Sequence, residues 1–259
     1  MTVPTVLALG GGGFTCDDGD AALDDLVLEL CGVPVPRILF VPTAGGDAAL
    51  QIGRFRSAFG DRACEPDLLS LFRLARERRP LAEIVLGQDV IYVGGGSLRN
   101  LLAVWHARGL DVLLREAWAR GTLLAGLSAG AMCWFEGGVT TSGGLPAPAP
   151  ALGLLPGSLS VHADGEPARR PVHLDAVRRG ALPPGWLLDD GAGLVFRGRR
   201  LERVVTARPD AGAAGVDVDG VVPLRAELLR RAPMPLPAVA ASEDVRELRA
   251  LRQALAARP

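Results

Sequence analysis

The first half of the chain is built on short apolar runs that do not alternate with polar residues and that end in glycine, proline or a small-residue turn. Val3–Leu9 runs into Gly10–Gly13, and RILFV (Arg37–Val41) into Pro42. DVIYV (Asp89–Val93) runs into Gly94-Gly95-Gly96, and TLLAGL (Thr122–Leu127) into Ser128-Ala129-Gly130-Ala131. A strand that is apolar along its whole length must be covered on both faces, which a parallel sheet flanked by helices achieves. The intervening segments supply those helices. Ala21–Leu30 sets Leu23, Leu26, Val27 and Leu30 on one stripe, and the segment after Gly96 sets Leu98, Leu101, Leu102 and Trp105 on one face. Asp47–Phe59 and Leu110–Ala119 are read as further helices, and Asp67–Phe72 as a third strand. The fold class is α/β: a doubly wound, mostly parallel sheet with helices on both faces. Ligands of such sheets sit at the carboxyl ends of the strands, where the glycine turns fall.

The second half reads differently. Gly143–Leu155, with Pro146, Pro148 and Pro150 alternating, is expected to be a loop or an extended crossing segment. Leu194–Phe196 and Leu201–Thr206, joined through Gly198-Arg199-Arg200, predict an antiparallel β hairpin appended at the sheet edge. Its apolar face is a candidate homodimer contact. Glu243–Ala256 predicts a closing helix capped by Ser242. At 259 residues without an internal repeat, residues 1–259 are expected to form one domain.

Absences narrow the chemistry. All 28 basic residues are arginine. Without lysine there is no P-loop lysine, pyridoxal Schiff base, lysine nucleophile or Ser–Lys dyad. A net charge of −1 argues against nucleic acid as a partner. Cys16, Cys31, Cys64 and Cys133 lack zinc-site spacing and are expected to be free thiols. Asp17, Asp18 and Asp20 lack calcium-loop spacing, so no metal is expected. G-x-G-x-x-G fails in both registers of Gly10–Gly13, because Thr15 or Cys16 stands where the third glycine belongs, so no organic cofactor is expected either. With no membrane-length apolar run and no charged leader, a cytoplasmic protein is expected.

Gly126-Leu127-Ser128-Ala129-Gly130 fits G-x-S-x-G between a strand and a helix-forming segment. Such a turn lifts the serine hydroxyl above the sheet and aims the free N–H groups of the following helix at the same point. A turn that merely packs strand on helix is the competing reading. A serine nucleophile needs a base, and His106, His162 and His173 are the only histidines. His106 follows a core position and is expected to face solvent. His173, on a short helix over Pro171–Arg178, reads as a surface residue. His162 ends an apolar stretch and is the favoured base. Asp189-Asp190, after Trp186–Leu188, offers an acceptor for the histidine, with a solvated turn as the alternative. Asp164 is too near His162 in sequence for its geometry to be assigned. The N–H of Ala129 and those of Gly94–Gly96, with Gly95 and Gly96 foremost, form the expected oxyanion hole.

Together these motifs resemble the peptidase E (aspartyl dipeptidase) family and its relative cyanophycinase. The resemblance runs through Leu9-Gly10-Gly11-Gly12-Gly13-Phe14, Phe40-Val41-Pro42-Thr43-Ala44, Val93-Gly94-Gly95-Gly96-Ser97, Gly126–Ala131, Gly153–Gly157 and Leu188-Asp189-Asp190-Gly191. It implies a class I glutamine-amidotransferase-like, flavodoxin-type fold and a serine peptidase of short peptides, with Asp-Xaa dipeptides as one substrate class. Ser128 falls on the family nucleophile and His162 on its histidine. One view of the family places an aspartate between these two, but Gly137–Val161 contains no acid. The remaining family position falls on Asp190, with Asp189 as alternate. Gly12, Gly13, Arg169 and Arg170 are the candidate substrate-binding positions. An esterase or amidase with the same residues, and a binding protein that has lost catalysis, are the rival readings.

Overall fold

Residues 3–16 and 21–229 are described by a computed structural model. Five strands lie parallel: β1 (Thr5–Leu9), β2 (Arg37–Val41), β3 (Glu65–Leu68), β4 (Val90–Val93) and β5 (Leu123–Leu127). Their spatial order is β3-β2-β4-β5-β1. Successive side chains of a strand point to opposite faces, and here both faces are apolar. Leu7, Leu9, Phe40 and Tyr92 pack beneath α1 (Ala21–Cys31) and α2 (Ala49–Gly60). Val6, Ala8, Val41 and Val93 pack beneath α3 (Leu81–Leu86), α4 (Leu98–Arg108) and α5 (Leu110–Ala119). This is the doubly wound, flavodoxin-type arrangement. The third strand is shorter and earlier than Asp67–Phe72, because Leu71–Arg76 turns into a 3₁₀ helix behind a Ser70 cap.

After β5 the chain makes one helical turn, α6 (Ala129–Met132), and enters a second sheet. That sheet holds β6 (Gly137–Thr140), β7 (Ala147–Pro150), β8 (Ser158–Val161), β9 (Gly185–Leu188), β12 (Ala213–Val216) and β13 (Val221–Leu224), in the order β13-β12-β9-β8-β6-β7. Helix α7 (Arg169–Arg178) packs on it. The proline-rich segment, expected as a loop or an extended crossing segment, contains an edge strand. β7 pairs with β6 alone, so its prolines face no second ladder.

The expected hairpin forms from β10 (Ala192–Arg197) and β11 (Arg200–Thr206). β10 runs antiparallel to β1, so the hairpin extends the main sheet rather than standing apart, and β14 (Glu227–Leu228) adds to β11. The Asp17-Asp18-Asp20 turn and the helix expected over Glu243–Ala256 lie outside the described residues. None of the described helices is long and apolar enough to cross a membrane.

The two sheets matter to the site because they converge on β5. Its end is tied to β1 by the Ser128 N–H donating to Leu9 O at 2.9 Å. The glycine run after β1 is anchored by Phe14, whose ring sits 5.5 Å from Phe40 and 5.3 Å from Tyr92. Removing such a buried ring costs about 3–5 kcal/mol, so Phe14 fixes the loop that a run of glycines alone would leave loose.

Candidate active site

Ser128 caps β5 with φ 54 and ψ −118, a conformation that few side-chain-bearing residues adopt. The glycines around it make the turn possible. A Cβ on Gly126 would lie 2.1 Å from Gly130 O, and one on Gly130 would lie 2.3 Å from Val93 O. The G-x-S-x-G spacing is therefore a packing requirement: strand, turn and β4 touch through bare backbone. Helix α6 is only four residues long, so its dipole is small. What the turn offers is the individual N–H of Ala129.

His162 follows β8 with φ 57. Its Nε2 lies 2.8 Å from Ser128 Oγ, and its Nδ1 lies 2.5 Å from Asp190 Oδ1. With Nδ1–H donating to the carboxylate, Nε2 is left to accept the serine hydroxyl. The side chains of His162 and Asp190 are 23% and 37% exposed, so the row is sheltered but open to a ligand. Asp190 stands just after β9, the parallel neighbour of β8.

Asp189 points elsewhere. Its Oδ2 accepts the Gly212 N–H at 3.0 Å. Burial raises the pKa of its carboxyl above the usual carboxylate range, against the pull of that hydrogen bond.

Gly10 and Gly11 pack against this acidic turn. A Cβ on Gly10 would meet Asp189 O at 2.1 Å, and one on Gly11 would meet Asp190 Oδ1 at 2.3 Å and His162 Cε1 at 3.4 Å. Sequence reasoning missed this role for Gly11, because only the pairing of β1 with β10 brings it to Asp190. Gly12 and Gly13 are buried, and Gly13 turns over Asp24, which accepts the Phe14 N–H.

The Gly94–Gly96 loop borders Ser128 from the β4 side. A Cβ on Gly95 would lie 3.2 Å from Ser128 Cβ, and one on Gly96 (φ 141) would lie 2.2 Å from Ala44 O. The Gly94 N–H goes to Val41 O and the Ser97 N–H to Ala44 O. The amides of Gly95 and Gly96 have no partner among the described residues.

Arg169 does not fit the expected substrate role. It is 4% exposed, and its guanidinium donates to Glu166 at 2.9 and 3.0 Å, to Val139 O at 3.2 Å and to Thr141 Oγ1 at 3.0 Å. With its donors spent, it braces the turn after His162 against β6. Arg170 is exposed at the start of α7. His106 faces solvent as expected. His173, expected on the surface, is fully buried on the inner face of α7 beside Ser158.

A serine, a histidine and a carboxylate in a row at the strand ends of an α/β sheet is the arrangement of a serine hydrolase. The model of peptidase family S51 matches residues 6–204. The chain is also 45% identical over 208 residues to the uncharacterized peptidase YgaJ of Bacillus subtilis (strain 168), spanning 80% of this chain and 90% of that one. It shares its fold with the crystal structure of a peptidase from an acI-B1 Actinobacterium, at TM-score 0.68 and 20% identity over 86% of this chain and 95% of that one. The chain belongs to peptidase family S51, and it is a serine-type peptidase.

Proposed function

We propose that the protein hydrolyses short peptides through a Ser128–His162–Asp190 triad. Ser128 Oγ attacks the scissile carbonyl carbon while His162 Nε2 takes its proton. Asp190 holds the Nδ1–H and stabilises the imidazolium that forms. The N–H of Ala129 and those of Gly95 and Gly96 bind the oxyanion. The intermediate collapses as His162 hands its proton to the leaving amine. Water, deprotonated by the same histidine, then releases the acyl group from Ser128.

The observation that carries this reading is the continuous row of contacts, 2.5 Å and then 2.8 Å, from Asp190 to Ser128. It argues against the binding-only alternative, which the absence of an acid from Gly137–Val161 had favoured. Short peptides are favoured because Ser128 is half-buried between Gly95 and His162, where a chain end enters more readily than a folded segment. An Asp-Xaa preference lacks the support of Arg169.

The test is release of amino acids from a panel of dipeptides and tripeptides, including Asp-Xaa and β-Asp-Arg, by wild type and Ser128→Ala. Turnover that vanishes in the variant supports the reading and names the substrate class. Ester hydrolysis without peptide cleavage would replace it with an esterase. Failure of a fluorophosphonate probe to label Ser128 would remove catalysis altogether.

A further inference from the structure

We propose that Asp164 is a positioning residue of this site: it clamps the turn carrying His162 to the turn carrying Asp190, and Arg208 holds the clamp in place. The inference rests on the triad reading above and adds to it the device that sets its middle contact.

The His162–Asp190 contact is made between two separate loops, each just beyond the end of a strand. The β8–β9 ladder closes at Val161 and Leu188. One more backbone bond follows, Ala163 N–H to Leu188 O at 3.1 Å. There the backbone pairing of the two turns stops and a side chain takes over, as Asp164 Oδ1 accepts the backbone N–H of Asp190 at 3.0 Å. The other oxygen, Oδ2, accepts from Arg208 Nη2 at 2.8 Å. Arg208 also lies against the residue after Asp190: a Cβ on Gly191 would meet its Nε at 3.0 Å and its Cγ at 3.2 Å. One carboxylate thus divides its two oxygens between the acidic turn and the segment that backs it. The charged or titratable groups around it are His162, Asp189, Asp190, Arg208 and, 3.9 Å from Arg208, Asp210.

The electrostatics agree with the geometry. Burial alone raises a carboxyl pKa, but the Asp190 N–H and the Arg208 guanidinium outweigh it and hold Asp164 below its ordinary range. Both contacts favour the carboxylate form of Asp164. Asp190 has no such freedom to wander, because its Oδ1 must stay on Nδ1 for the histidine to keep the right tautomer. Misplacement by about 1 Å costs on the order of 10²-fold in rate.

The experiment compares wild type with Asp164→Ala, Asp164→Asn, Arg208→Gln and Asp190→Ala in the full chain. Readouts are kcat and KM on the cleaved peptide, the fluorophosphonate labelling rate of Ser128, the downfield proton resonance of His162 Nδ1–H, and the melting temperature. Asp164→Ala is expected to lower kcat and the labelling rate about 10²-fold, to leave KM unchanged and to broaden the downfield resonance. Asp164→Asn, whose amide oxygen still accepts the Asp190 N–H but whose NH2 cannot accept from Arg208, is expected to restore part of the rate, to the level of Arg208→Gln. Arg208→Gln decides the case if Asp164→Ala melts below the assay temperature, and a fall in kcat at constant KM is expected of it. Wild-type rates in folded Asp164→Ala with an inactive Asp190→Ala would overturn the clamp and leave the triad. Equal losses in Asp164→Ala and Asp164→Asn would also overturn it, since the charge and not the held amide would matter. An active Asp190→Ala would overturn the triad and the clamp together.

Discussion

Ser128 and His162 meet at 2.8 Å from the ends of strands in different sheets, and both hold positive φ, 54° and 57°. Neither is a glycine, so each stores backbone strain of about 1–3 kcal/mol. That strain aims two side chains at one point above the sheet ends.

The strain at Ser128 makes a prediction that separates stability from activity. Ser128→Ala and Ser128→Gly both remove the proposed nucleophile and should lower kcat by roughly 10⁵–10⁶. Only the glycine variant also relieves the turn. It should be more stable than the alanine variant by about 1 kcal/mol, read from denaturant midpoints. An alanine variant as stable as the glycine one would show that the turn is not strained.

Neighbouring glycines at the end of β1 should fail in opposite ways. Gly11→Ala presses on the carboxylate tip of Asp190, which can rotate aside. The fold should survive, while kcat falls about 10²-fold as Asp190 leaves His162. Gly10→Ala presses on the backbone carbonyl of Asp189, which cannot rotate aside. Destabilisation of about 3 kcal/mol or more should follow. Thermal melts and steady-state kinetics on the two proteins test the pair.

The adjacent acids should be unequal. Asp190→Asn leaves the shape but denies His162 its anion, and kcat should drop by about 10³–10⁴. Asp189→Asn keeps an oxygen for the Gly212 N–H. Its kcat should stay within about threefold, less than 1 kcal/mol of barrier. The reverse order would reassign the acid.

The sequence carried the main sheet because its strands are uniformly apolar and its turns are glycine-marked. It also carried Ser128 and His162, since a serine turn and a scarcity of histidines leave little choice. The second sheet was hidden by composition: β6 and β7 read GGVT and APAP, where glycine, alanine and proline outnumber the strand formers Val139 and Thr140. Packing against β8 and α7, not propensity, makes them strands. The preference for Asp190 over Asp189 came from the family resemblance and not from any local pattern, and the roles of Gly11, Asp164 and Arg208 were illegible for a related reason. Each depends on which loops the two sheets bring together, and no local pattern encodes that.

Burial of His173 should make the fold lose stability toward acid. Ser158 Oγ donates to Pro183 O at 2.6 Å, so it accepts from His173 Nε2–H at 2.7 Å. The bare Nδ1 is buried with no partner among the described residues. Protonation would put an unsatisfied N–H there, and burial pushes the histidine down from 6.5 to about 4. A depressed histidine means that the unfolded chain binds the proton more tightly than the folded one. The stabilisation from a neutral His173 is therefore complete above pH 6.5 and erodes as pH falls toward 4, by about 3 kcal/mol in all. His173→Gln, which cannot titrate and can still donate to Ser158, should flatten that part of the stability curve. Denaturant melts from pH 7 to pH 4 on the two proteins decide it: parallel curves would show that His173 contributes nothing to the acid transition.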